Sequence, residues 1–200
     1  QLKFDLELAR ESDDAAEREA RFEAMGRDVA DLEELVNELL LLANLRQAPP
    51  YAPKEIPARV LVEDVIRRAK DEMRATGREV EIQPPAQLPE TFTCDGKFLA
   101  RALVNVVRNA VRHASARVAM TVEREGARTV VHVDDDGPGI APEDRDRVFE
   151  PFIRAEPGRE RETGGVGLGL AIVRSVAEWH GGAARVGTSP LGGARVSISW

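Results

Sequence analysis

Residues 164–173 read GGVGLGLAIV, with Gly165, Gly167 and Gly169 alternating just ahead of apolar residues that begin a helical pattern. Glycine lets a ligand approach the backbone closely, and a helix N-terminus offers unpaired amides with a partial positive charge. Together they suit a bound phosphate. Two common phosphate loops do not fit. A Walker loop closes on Gly-Lys-Ser/Thr, and this stretch has no lysine. A dinucleotide fingerprint needs Gly-x-Gly-x-x-Gly directly after a buried strand, whereas this run follows the charged RAEPGRERET. On these residues alone, a glycine hinge before an ordinary helix remains the competing reading.

A second group lies upstream. Asn105 and Asn109 are four apart in GKFLARALVNVVRNAVRHA and stack on one helical face, with Arg112 and His113 extending it opposite the apolar stripe. Asparagine is a poor helix former, so two in register ask for a reason. An amide oxygen is a hard ligand of the kind Mg2+ accepts alongside waters and substrate phosphates. A solvated face with incidental asparagines is the alternative. The third group is DDDGPGIAPEDRDRVFEPFIR, residues 134–154, where Asp136, Gly137 and Gly139 sit at a strand end that breaks into a turn. An ionised carboxylate only accepts hydrogen bonds, so Asp136 suits the exocyclic amine of adenine and repels the carbonyl of guanine. The spacing is not that of an EF-hand calcium loop. Asp134 and Asp135 read as strand-end charges.

The elements that must hold these groups follow from periodicity. Apolar residues at Phe22, Met25, Val29, Leu32, Val36, Leu39 and Ala43 alternate by threes and fours, a heptad seam widened by Leu35, Leu40 and Leu42. The seam predicts a helical hairpin pairing in a bundle, over residues 1–46. The proline-rich QAPPYAPKEIP, residues 47–57, reads as a linker. Beyond it the pattern predicts a helix ending at Gly77, a short strand REVEIQ, and a helix capped by Asp95. A hairpin around Gly126, the glycine-preceded helix and a last hairpin through PLGG follow. Helices on one side of a mainly antiparallel sheet make residues 58–200 an α+β, two-layer sandwich.

Composition narrows the partners. The 200 residues carry a formal charge of -7, which disfavours nucleic acid, and the single cysteine, Cys94, excludes an internal disulfide framework and a cysteine-built zinc site. No apolar run has the length of a membrane span, and the N-terminus lacks a signal peptide's apolar core, so this stretch is expected to be soluble. Leu2, Leu6 and Ala9 already keep helical spacing, which reads as a helix entered midway.

In order along the chain, NVVRNAVRH, DDGPGI, VFEPFIR, GGVGLGL and GGARVSI resemble the N, G1, F, G2 and G3 boxes of sensor histidine kinases. These belong to the superfamily of gyrase, chaperone, histidine kinase and mismatch-repair ATPases. The resemblance implies a Bergerat-type fold binding ATP and Mg2+. By motif position it makes Asn109 the Mg2+ ligand and Asn105 a polar residue orienting water or phosphate. Arg112, His113 and Arg154 face phosphates or nucleotide, and Asp136 reads adenine with Gly137 and Gly139 shaping the turn. Phe149 and Phe152 anchor a lid over about 154–165. Gly165, Gly167, Leu168 and Gly169 end that lid and present helix amides to the triphosphate, while Leu168, Ile172, Val176 and Trp179 hold the helix that follows.

The resemblance further implies phosphoryl transfer to a histidine, relay to the receiver domain of a response regulator, and a homodimer formed through the hairpin. It places the chain in the cytoplasmic portion of an inner-membrane sensor. None of His113, His132 or His180 is followed by the acceptor motif, which is therefore expected before residue 1, and the chain alone is not expected to phosphorylate itself. Two rivals are an anti-sigma-type Ser/Thr kinase, disfavoured by the helical seam and linker, and a dimerisation module with a degenerate nucleotide pocket, disfavoured by the intact Asn109, Asp136 and glycines.

Overall fold

A computed structural model describes residues 15–46, 53–153 and 167–200 of the chain. The chain divides into two compact units, Gln1–Leu40 and Leu41–Trp200. In the first, helix α1 (Ala15–Arg46) carries the expected seam, with Phe22, Val29, Leu32, Val36, Leu39 and Leu40 all exposed. Residues 1–14, the remainder of the expected hairpin, lie outside the described residues. The last turns of α1 belong to the second unit, where Leu45 is buried and Leu41 and Leu42 pack against the core.

The second unit opens with a departure from expectation. Lys54–Pro57, read as the end of a linker, is a strand, β1, and it runs directly into helix α2 (Ala58–Thr76). The strand pairs antiparallel with β3 (Thr91–Cys94), Lys54 opposite Cys94 and Pro57 opposite Thr91. Proline is tolerated in such a two-stranded edge. Ile56 packs within 3.2 Å of where a side chain on Gly96 would begin, and Phe92 opposite it is fully buried. Cys94 is buried as well, and burial pushes its thiol up to about 11.

The main sheet has the order β2-β4-β5-β7-β6. It is built from β2 (Glu81–Gln83), β4 (Arg117–Glu125), β5 (Arg128–Asp135), β6 (Ala183–Thr188) and β7 (Ala194–Ser199). Only the β2–β4 pairing is parallel. Met120, Val131, Val133, Val196 and Ile198 alternate along their strands toward the core shared with the helices. The opposite face is polar: Arg195 meets Asp134 through two 2.8 Å bonds, and His132 Nδ1 lies 2.7 Å from Ser197 Oγ. The α+β sandwich predicted from the sequence is the fold observed.

Helix α3 (Gly96–His113) lies between α2, the sheet and α4 (Gly169–Trp179). Its expected stripe of Leu99, Leu103, Val106, Val107 and Ala110 is buried, but so are Val104, Asn105 and Val111. A helix covered on several sides leaves little polar face. Asp95 caps it, its Oδ1 accepting from the amides of Lys97 and Phe98 at 3.0 and 3.1 Å. The Asp95 amide in turn donates to His180 Nε2 at 3.1 Å, while His180 Nδ1 lies 2.8 Å from the Val176 carbonyl and must donate to it. One neutral imidazole thus ties the end of α4 to the start of α3. Burial holds His180 below the ordinary value of 6.5, against the pull of the Val176 carbonyl and the Asp95 charge.

This joint yields a signed expectation. The folded state favours neutral His180, so its contribution is present above about pH 6.5 and is lost as the pH falls below that value through the lowered folded pKa. Urea unfolding should therefore show stability falling on acidification through this window, and His180→Gln should flatten that slope. Asp95→Ala should cost about 1 kcal/mol, as loss of a helix cap does. A slope unchanged in His180→Gln would contradict the neutral joint.

Candidate functional site

Strand alternation decides which carboxylate enters the site. Along β5 the core-facing residues are Val131 and Val133, and the next in phase is Asp135, not Asp136. Asp135 stands opposite Val118 of β4 and is 3% exposed. Its Oδ1 accepts from Gly137 N at 2.9 Å and from Ala194 N at 3.1 Å, and its carbonyl accepts from Gly193 N at 3.1 Å. No described residue donates to Oδ2. One oxygen is fixed by the fold and the other remains an acceptor.

Asp136, expected to read a base, is engaged elsewhere. Its Oδ1 accepts from three successive amides, Ser115, Ala116 and Arg117, at 2.8, 3.0 and 3.0 Å. Its Oδ2 lies 3.9 Å from Arg117 Nε. The Ala116 amide first, then those of Arg117 and Ser115, hold this carboxyl below the usual range. A carboxylate committed to its own turn has little left for a ligand. The structure therefore sets Asp136 on the turn rather than toward the core, and Asp135, read from the sequence as a strand-end charge, is the buried carboxylate with an oxygen to spare.

The expected glycines pack as close approaches rather than as a hinge. A side chain on Gly137 would strike the His113 carbonyl, and one on Gly193 would strike Asp135 Oδ1. Gly139, at φ +78, faces the Gly193 backbone. The loop after β5, the end of α3 and the start of β7 are thereby pressed together. Arg112 and His113 form the last turn of α3, Arg112 half-buried and His113 exposed.

Asn105 is not on a solvated face. It is 6% exposed, and its Nδ2 donates to the Gly169 carbonyl at 3.3 Å, with Gly169 Cα packed against the side chain. This bond places Asn105 below the first turn of α4 and leaves its Oδ1 outside that contact. Asn109, one turn further along α3, is half-buried. Among the described residues no three His, Cys, Asp or Glu side chains cluster as a metal cage.

The start of α4 has no side-chain cap. Leu168 just before it is fully buried, so its side chain packs into the domain as expected and its backbone alone is left to face a ligand. Ile172 and Val176 are buried as expected, and Trp179 packs edge-on against Phe98 with ring centroids 5.0 Å apart. Phe152 N donates to the Gly167 carbonyl at 3.0 Å, which joins the two stems of the intervening segment. Gly167 has φ +78 and would place a side chain 3.1 Å from the Phe152 backbone, so glycine is required there. Phe149 is buried, with Arg174 5.9 Å above its ring, whereas the Phe152 side chain is 58% exposed. Arg154, Gly165 and the expected lid at 154–165 lie outside the described residues. A separate open cavity of about 580 Å3, lined by Lys70, Met73, Arg74 and Arg78 among others, shares no residue with this constellation.

Comparison with known proteins identifies the family. The family model for histidine kinase-, DNA gyrase B-, and HSP90-like ATPases matches residues 94–200. The sensor protein RstB of Escherichia coli (strain K12) is 38% identical over 200 residues, all of this chain and 44% of that protein. The sensor histidine kinase CpxA of the same strain is 38% identical over 170 residues, 84% of this chain and 36% of that protein. The chain thus spans less than half the length of these curated relatives. Among solved structures, full-length ShkA in complex with AMPPNP matches 99% of this chain and 41% of that one, with a TM-score of 0.68 and 30% identity. Acinetobacter baumannii AdeS, at 22% identity and a TM-score of 0.75 over 99% of this chain and 91% of that one, shares the fold. The chain belongs to the histidine kinase-, DNA gyrase B-, and HSP90-like ATPases.

Proposed function

We propose that the second unit binds ATP between α3, the loop after β5 and the first turn of α4, and that in its parent protein it phosphorylates a histidine. The observation that carries this reading is the divided use of Asp135: Oδ1 is held by the amides of Gly137 and Ala194, and Oδ2 is left to accept. An oriented carboxylate with one oxygen to spare accepts the exocyclic amine of adenine and repels the guanine carbonyl. Asn105 fixes the first turn of α4, whose uncapped amides suit phosphate oxygens. Arg112 and His113 on α3, with Arg154 and the Gly165 region, complete the cationic and backbone contacts.

The residues present fit a bound Mg2+. Such an ion takes few protein ligands and keeps waters and substrate phosphates for the rest, which agrees with the absence of an acidic cage among the described residues. Asn109 would supply the amide oxygen, and the ion would neutralise charge on the phosphates during transfer. In the reaction an imidazole nitrogen of the acceptor attacks the γ-phosphorus, the bond to the β-phosphate oxygen breaks, and ADP leaves. What the chain contributes is positioning and charge.

Neither His132 nor His180 suits the acceptor role. His132 is 8% exposed and bonded to Ser197, and both ring nitrogens of His180 are engaged. We place the acceptor on the helical hairpin of the parent protein. The exposed seam of α1 supports pairing with a second copy in the parent. A response-regulator receiver domain is the onward partner that this chemistry requires. No helix among the described residues is long and apolar enough to cross a membrane; we assign the chain to the cytoplasmic side of a membrane sensor by its likeness to RstB and CpxA.

Calorimetry tests the base reading. The unaltered chain should bind ADP about ten-fold or more tighter than GDP, since a buried polar mismatch costs roughly 1–3 kcal/mol. Asp135→Asn should bring the two affinities within about three-fold of one another. Retained preference in that variant would remove Asp135 from the role. For the ion, Asn109→Ala should abolish the gain in ATP affinity that Mg2+ brings while leaving metal-free ADP binding nearly intact. An equal Mg2+ effect in variant and unaltered protein would contradict the assignment.

A further inference from the structure

We propose that Asp136 is a positioning residue: its carboxylate clamps the turn between α3 and β4, and through that turn it sets where Arg112 and His113 stand relative to the base-reading Asp135. The proposal rests on the reading of this junction as the nucleotide pocket.

The turn leaves α3 at His113 and enters β4 at Arg117. Chain reversal at a helix end strands amides that need acceptors. Here the three successive amides of Ser115, Ala116 and Arg117 converge on one oxygen of Asp136, a backbone nest filled by the chain's own anion. Asp136 also donates its own amide to the Arg117 carbonyl at 3.2 Å. The carbonyls of the turn are tied the other way: Ala116 accepts from Glu81 N at 2.8 Å, and Ala114 from the Arg78 guanidinium at 2.9 Å. Gly137, next in sequence, abuts the His113 carbonyl so closely that no side chain fits.

Asp135 and Asp136 are adjacent and point to opposite sides of the strand end. One grips the start of β7 while offering an oxygen to the base; the other grips the end of α3. Arg112 and His113 are the last two residues of that helix. The Asp135–Asp136 peptide therefore links the end of β5 directly to the turn that follows these two residues. Releasing the turn would let the phosphate-facing end of α3 shift while the base-reading end of β5 stays in place.

The test uses the full chain with ADP and GDP as probes, and amide hydrogen exchange as a second readout. In Asp136→Ala the amides of Ser115, Ala116 and Arg117 should exchange faster while core amides such as Val131 and Ile198 keep their protection. ADP affinity should fall roughly ten-fold or more, the scale of a lost charge-assisted hydrogen bond, and the ADP-over-GDP preference should persist. Asp136→Asn, which keeps an acceptor oxygen, should restore ADP affinity to within about three-fold and slow the three amides again. Unchanged ADP affinity in Asp136→Ala overturns the proposal, as does loss of the adenine preference, which would return Asp136 to the base. Should Asp136→Ala fail to fold, Asp136→Asn decides: protected turn amides with retained affinity support the clamp, and fast exchange with retained affinity overturns it. Failure of the unaltered chain to bind ADP would instead overturn the nucleotide reading itself, and the clamp's role in binding with it.

Discussion

The end of β5 is the point on which the rest of this structure turns. β5 is the central strand, paired with β4 on one side and β7 on the other, and it terminates in a buried carboxylate. A buried charge is tolerated only when hydrogen bonds satisfy it. Asp135 meets that condition with amides from the loop that follows it and from the start of β7. Those bonds require the backbone of Gly137 and Gly193 to come so close that side chains are excluded. The glycines near the site are therefore consequences of burying one carboxylate, and the carboxylate is worth burying because a ligand can use its other oxygen.

Around that point the helices act as spacers with defined anchors. α3 is capped at one end by Asp95, which His180 ties to the end of α4, and is gripped at the other by Asp136. The start of α4 is held by the Asn105 amide. Each helix of the site is thus fixed at the end that matters for its side chains or amides. The joint at His180 depends on a neutral ring, whereas the grip of Asp136 needs only an accepting oxygen, and the amides on it favour the ionised carboxyl.

Much of this was legible in the sequence, because periodicity and caps are local signals. The helices ending near Gly77 and starting after Asp95, the hairpin around Gly126 and the last hairpin all stand where their patterns place them. The ordered boxes also marked the family. Two kinds of feature were not legible. Lys54–Pro57 ends a proline-rich stretch that reads as a linker, and only the partner strand Thr91–Cys94, distant in sequence, makes it a strand. Asn105 sits on the polar side of the α3 stripe, and only the arrival of α4 buries it. The exchange of Asp135 for Asp136 was different in kind. The alternation of Val131 and Val133 with outward residues already put Asp135 on the core side, and that signal lay in the sequence unread.

The central claim is that nucleotide binds at the junction of α3, the loop after β5 and the start of α4. Amide chemical-shift mapping of the isotopically labelled chain during titration with Mg-ADP tests it most directly. The account predicts that the largest changes fall at Gly137, Gly193, Ala194, Gly169 and the turns of α3 that carry Asn105 and Asn109. Changes confined to the cavity lined by Lys70, Arg74 and Arg78, with Gly137 and Ala194 unmoved, would contradict it.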